Sequence, residues 1–157
     1  MTQLLKDLLS NQCLIAAAIS WFIAQLIKII VELSKKAKFK ARDFILRALV
    51  GTGGMPSSHT AAVVAVAVGT AFEYGIKSSV FAFACVFTFV TIRDATGVRL
   101  STGRQAHSIN QIISVIPEGD KIHKVKEVRG HTVIQCFVGG LIGLLVSLGL
   151  HLFGKHY

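Results

Sequence analysis

Apolar positions along the chain gather into four runs separated by polar stretches. Residues 13–31, CLIAAAISWFIAQLIKIIV, are interrupted only by Gln25 and Lys28. That is length enough to cross a hydrocarbon core of about 30 Å as one helix. Residues 132–153, TVIQCFVGGLIGLLVSLGLHLF, are equally long, and Gly139 and Gly143 stand in the GxxxG spacing that lets helices approach closely. The runs at 58–74 and 79–92 are short for a full span, which predicts helices shielded in part by their neighbours. The pattern predicts an all-α fold, a polytopic membrane helix bundle with about four transmembrane helices, as a single domain over residues 1–157.

Composition strengthens this reading. The 157 residues are 52% hydrophobic and only 16% charged, far from the balance of a soluble domain. The opening MTQLLKDLLSNQ lacks a basic region followed at once by an apolar core and a cleavage site, so the first span is expected to be retained. No lipidation motif is present. Cys13, Cys85 and Cys136 all fall inside apolar runs without CxxC spacing, which predicts packed thiols rather than a disulfide framework or a zinc site.

The cations set an orientation. Of 17 Lys and Arg, six (Lys35, Lys36, Lys38, Lys40, Arg42, Arg47) lie between the first two runs and seven (Arg93, Arg99, Arg104, Lys121, Lys124, Lys126, Arg129) between the last two. Only Lys6, Lys77 and Lys155 fall on the other side. Basic loops stay in the cytoplasm, which predicts both termini outside and both long loops inside, in the plasma membrane. The basic run SKKAKFKAR is read as a retention and head-group signal, with no nucleic-acid partner implied.

With that threading, three polar clusters emerge on one side: GTGGMPSSHT (51–60) before the second helix, TIRDATGVR (91–99) where the third is expected to end, and RGHTVIQ (129–135) where the fourth begins. Ionisable residues gathered at membrane depth point to a site. In the first cluster, glycines such as Gly54 allow tight backbone geometry, Pro56 suits a first helical turn, and Ser57 or Ser58 can cap the free amides, making an anion seat with His59 beside it. The P-loop pattern GxxxxGK[ST] is absent. Gly130 and His131 repeat the arrangement at the next helix. Two histidines opening helices on one face can bracket a phosphoryl group, one attacking phosphorus and the other protonating the departing oxygen. Cations must then surround the equatorial oxygens, and Arg99, Arg93, Lys126, Arg129 and Lys28 are the supply, Lys28 by reaching toward the site from one turn inside the first helix. No HxxxH or HExxH spacing supports a metal, and no cofactor is implied. His107, His123, His151 and His156 read as solvated or interfacial.

GGMPSSHTA, DATGVR, GRQA and KEVRGHT, occurring in this order, resemble the divergent branch of the type 2 phosphatidic acid phosphatase superfamily, itself related to vanadium-dependent haloperoxidases. The resemblance runs from AQLIK (24–28) to the glycines of the last helix. It implies a helical membrane protein whose wider superfamily removes phosphate from lipid phosphates without a metal, through a phosphohistidine. Carried over, it makes His131 the nucleophile and His59 the general acid, with Ser58 and backbone amides on the phosphate oxygens and Arg99 as clamp. The chain departs from the superfamily pattern at three places. Gln135 stands where an acid orients the nucleophile, Val125 stands where an arginine lies six residues before it, and the K-x6-RP motif finds only Lys40 to Arg47 followed by Ala48. Asp94, and secondly Glu127, are candidates for the missing negative charge.

The reading is a lipid phosphate phosphohydrolase with His131, His59 and Asp94 catalytic and Ser57, Ser58, Arg99, Lys28, Lys126 and Gly54 binding substrate. Its partners are membrane lipids and a phosphorylated lipid substrate, with a homo-oligomer left open. The alternative from another class is a non-catalytic protein that binds or translocates a phosphorylated lipid; a third reading is a structural membrane component whose basic loops dock a partner protein.

Overall fold

A computed structural model describes residues 2–34, 54–128 and 130–154, and all of its regular elements are helices. They are α1 (Thr2–Ser10), α2 (Gln12–Ser34), α3 (Ser58–Tyr74), α4 (Ser79–Arg93), α5 (Arg99–Val115) and α6 (Val133–Phe153), with a π-turn at Asp94–Val98 and a 3-10 turn at Gly119–Lys121. Each of the four apolar runs forms the expected helix. Among the described residues, three stretches, Gln12–Val31, Ser79–Val115 and Val133–Phe153, are long and apolar enough to cross a membrane. At 17 residues, α3 is about 26 Å long and is the shielded one, packed against α2, α4 and α6 at once.

The bundle is small inside and greasy outside. Ala16, Ala24, Ala61, Ala65, Gly139 and Gly143 line the interior, whereas Phe83, Val86, Phe87, Phe89 and Val90 of α4 and Val133, Ile134 and Phe137 of α6 face outward. With hydrocarbon as solvent, burying a large apolar side chain gains little, and close backbone contact becomes the main attraction. The GxxxG pair shows this directly. A Cβ on Gly139 would stand 2.3 Å from the Ser57 carbonyl oxygen, and one on Gly143 would stand 2.2 Å from that of Ala61. Cys13 and Cys136 are packed as expected, but Cys85 is exposed on the outer face of α4.

Two local features differ from the sequence expectation. α4 ends at Arg93, within the expected 91–99, but the chain does not leave the helical path there: it passes through the π-turn into α5 and stays helical to Val115. There the Arg99 amide bonds the Asp94 carbonyl, five residues back, which releases the Ala95 carbonyl for a partner outside the helix. Pro56 also lies outside the first turn of α3, because Ser57 is the N-cap, its hydroxyl accepting from the Thr60 amide at 3.4 Å. Asn11 caps α2 through Leu14 N–H at 3.0 Å and joins it to α1, whose Leu4, Leu5, Leu8 and Leu9 are all exposed.

Beyond the bundle, residues 123–128 run along α5. The Asn110 amide receives the Val125 N–H at 2.8 Å and donates to the Val125 carbonyl at 2.9 Å, pinning the segment that leads to His131. Val125, where the superfamily pattern has an arginine, is thus held by its backbone.

Candidate active site

Three chain segments meet at one end of the bundle, tied by two backbone hydrogen bonds. The His131 N–H donates to the freed Ala95 carbonyl at 2.9 Å, and the Ser57 N–H donates to the Gln135 carbonyl at 3.1 Å. The start of α3, the π-turn after α4 and the start of α6 are thereby one structural unit. Gly130 is required on the way in: its Cβ would lie 2.5 Å from the Leu100 backbone.

His131 is buried, at 8% exposure, immediately before the Thr132 cap of α6. Thr132 and Gln135 form a capping box, the Thr132 hydroxyl accepting from Gln135 N–H and the Gln135 side chain accepting from Thr132 N–H at 3.0 Å. The same Gln135 Oε1 faces His131 Nδ1 at 3.3 Å. Burial holds the His131 pKa below the usual imidazole value; the hydrogen bond to Gln135 opposes this, Lys28 and His59 add to it as neighbouring cationic groups, and the Gly54 backbone opposes it. Gly54 reaches this place with φ of 93°, in the left-handed region that favours glycine.

His59, in the first turn of α3 and exposed, is within Coulombic reach of Arg99, Lys28 and Asp94. Lys28 is 7% exposed and acts on both histidines, so α2 contributes to the site from inside the bundle. Ser58 is buried beside His59. The structure therefore brings together His131, His59, Lys28, Arg99, Asp94, Ser58 and Gly54.

Other expected roles change. Asp94 ion-pairs with Arg99 and belongs to the His59 side of the cluster, so it is not the carboxylate that orients His131. Glu127 is not either: it accepts from His107 Nδ1 at 3.2 Å and from Asn110 at 3.2 Å. Gln135 meets Nδ1, and the Gly54 backbone makes a further hydrogen bond with the His131 ring. Ser57 is fully buried and its hydroxyl is used by Thr60, from N–H and from Oγ1 at 3.0 Å, so it holds the helix end instead of a ligand. Lys126 is exposed on the 123–128 segment, with nothing among the described residues joining it to the histidines, and the Arg93 guanidinium lies over Gly97. Lys35, Lys36, Lys38, Lys40, Arg42, Arg47, Arg129, Lys155, His156 and the glycines before Gly54 lie outside the described residues.

Sequence reading missed the groove beside the site. About 630 Å³ in volume, it runs from Gly54, Gly130 and Gln135 along α5 to Arg104, His107 and Glu127. His107 is no isolated loop residue but links Glu127 to Gln111, whose Nε2 is 3.1 Å from its Nε2. Its signal was the helical spacing of His107 and Gln111, four residues apart, hidden by the expectation of a loop. Among the described residues, no three His, Cys, Asp or Glu side chains come together to hold a metal ion.

Residues 9–146 match the sequence profile of the Divergent PAP2 family. The chain belongs to the Divergent PAP2 family. It is 38% identical over 160 residues to the uncharacterized membrane protein YuiD of Bacillus subtilis (strain 168), an alignment covering 94% of this chain and 98% of that protein. No solved structure matches it. This Divergent PAP2 family member is an integral membrane protein, its apolar helices and its relative agreeing on that. Every residue of the cluster, from Lys28 to Gln135, lies within the matched span.

Proposed function

We propose that this protein is a metal-independent phosphohydrolase of lipid phosphates, working at the cytoplasmic face of the plasma membrane through a phosphohistidine on His131. The observation that carries the reading is the meeting of a buried histidine, His131, and an exposed one, His59, within a single cluster containing Lys28 and Arg99.

The chemistry follows from the positions. With Nδ1 facing Gln135, the lone pair of neutral His131 lies on Nε2, which attacks phosphorus. Lys28, Arg99 and the free amides at the start of α3 offset charge on the equatorial oxygens. As the P–O bond to the lipid breaks, His59 gives its proton to the departing alkoxide oxygen. Water then attacks the phosphohistidine, neutral His59 taking a proton from it, and inorganic phosphate leaves with His131 restored. Asp94 brings negative charge next to Arg99 and within reach of His59.

Gln135 favours a second reading. A neutral amide stabilises a developing imidazolium less than a carboxylate does, so the same anion seat can serve a protein that binds or moves a phosphorylated lipid without cleaving it. One experiment separates the two. Purified protein in detergent is expected to release phosphate from lipid phosphates, to be inhibited by vanadate, and to lose about a thousandfold or more of its rate in His131→Ala and about a hundredfold in His59→Ala. Saturable binding of lipid phosphate with no release from the wild type establishes the second reading.

A further inference from the structure

α1 carries four leucines that nothing above uses. Leu4, Leu5, Leu8 and Leu9 are exposed, as is every residue from 3 to 10, so no face of this helix packs against the described bundle. At about 100° per residue the leucines fall within about 140° of the circumference, while Gln3, Lys6, Asp7 and Ser10 fill the opposite arc. The polar arc closes on itself: Gln3 Nε2 donates to Asp7 Oδ1 at 3.1 Å, and Ser10 Oγ donates to the Asp7 carbonyl at 3.0 Å. A helix of 9 residues with no packing partner is marginal in water, so α1 needs a surface for its leucines. Its place says which surface. α1 joins the membrane-crossing α2 through the single residue Asn11, which caps α2 by accepting from Leu14 N–H at 3.0 Å. From Asn11 to Lys28, the cation that acts on both histidines, a helix measures about 26 Å, close to the hydrocarbon thickness of about 30 Å. With Lys28 at one boundary of the hydrocarbon, α1 emerges at the other. Lys6 and Asp7 bar it from the hydrocarbon itself, and the leucines disfavour water.

We propose that α1 is an interfacial helix, lying in the plane of the bilayer surface with Leu4, Leu5, Leu8 and Leu9 sunk about 5–10 Å into the headgroup and acyl boundary of the leaflet away from the site. The occupant of its apolar face is lipid, not a second copy of the chain or another protein. Lys6 and Asp7 carry opposite charges, so the hold is apolar and does not select anionic headgroups. Lying there, α1 keeps α2 from sliding through the bilayer and fixes the depth of Lys28 at the opposite boundary. The inference rests on the span of α2 and is independent of whether the site cleaves phosphate.

The test uses the full-length protein in nanodiscs of phosphatidylethanolamine and phosphatidylglycerol. Cys85→Ala removes the exposed thiol and leaves the buried Cys13 and Cys136. Single cysteines are then introduced at each position from 3 to 10 and spin-labelled. Collisions with oxygen, which concentrates in the hydrocarbon, and with a neutral nickel chelate, which stays in water, give the depth of each label. Labels at residues 4, 5, 8 and 9 are expected about 5–10 Å below the headgroup level and shielded from nickel, with those at 3, 6, 7 and 10 in contact with it. The second set leaves all four leucines in place, so its uniformly shallow depth reads the intact helix. Any other pattern overturns the proposal. A depth that changes steadily from 3 to 10 means that α1 stands upright on α2, and nickel contact at every position leaves it in water. Shielding of the leucine positions from both reagents seats protein there instead of lipid, and oxygen contact without nickel at every position puts the whole helix inside the hydrocarbon.

Discussion

Gln135 Oε1 meets two groups, and one of them settles the chemistry of the other. Thr132 N–H can only donate, so the side-chain atom it meets at 3.0 Å is the oxygen, and His131 Nδ1, 3.3 Å from the same atom, carries the ring proton. The capping box thus fixes both the helix start and the tautomer of His131. Burial keeps that ring below the usual imidazole pKa. A depressed histidine contributes stability that is complete above the ordinary value of about 6.5 and is lost as pH falls through the lower folded value. Gln135→Glu retains the capping box and places a carboxylate at Nδ1. It is expected to raise the His131 pKa, moving the acid limb of the rate–pH profile upward by about one unit or more. An imidazole titration that does not respond to Gln135→Glu would show that residue 135 does not govern the ring.

The α3–α6 contact is where the site depends on an element. Gly139 and Gly143 bring the α6 backbone against the carbonyls of Ser57 and Ala61, and Ser57 is the cap beneath His59. Added methyl groups there must push α3 away. Gly139→Ala is therefore expected to destabilise the protein by about 1–3 kcal/mol and to lower activity by displacing the start of α3. Gly140, one residue on, is the control: its Cβ would meet Val64 at an ordinary 3.6 Å, and Gly140→Ala should lie within about 1 kcal/mol of wild type, helped by helix propensity. Thermal unfolding of the two variants in the same detergent checks this, and equal losses would mean that the close approach is not the cause. The GxxxG spacing made this contact legible beforehand. The π-turn was not, because a turn of five-residue bonding has no period of its own and DATGV reads equally as a helix end.

For the molecule as a whole, the threading places the starts of α3 and α6 and the end of α4 at one end of the bundle. Thirteen of the 17 Lys and Arg lie on the two connections at that end by sequence, which predicts a cytoplasmic site. In a cysteine-free background, single cysteines at Lys6 and Lys77 are expected to react with an impermeant thiol reagent added outside intact cells. Cysteines at Lys38 and Lys124 should react only after the membrane is opened. The opposite pattern would turn the site to the outer face. Four apolar helices and their order could be read from the apolar runs alone. The partners of individual charges could not: Asp94 adjoins Arg93 in sequence and lies five residues before Arg99, and only packing gave it to Arg99.

Hydrophobic run lengths determined that this chain is a helical membrane bundle, and the two GxxxG glycines determined which helix face would be closest to its neighbour, since both depend on local composition and a fixed helical period. The tertiary structure decided how α5 continues from α4, that Ser57 serves as a cap, that Gln135 faces His131 Nδ1, and that a groove opens along α5. Those outcomes depend on which segments, distant in sequence, are brought within hydrogen-bonding distance. A single backbone bond from His131 to Ala95, across 36 residues of chain, is the kind of contact that no local pattern encodes.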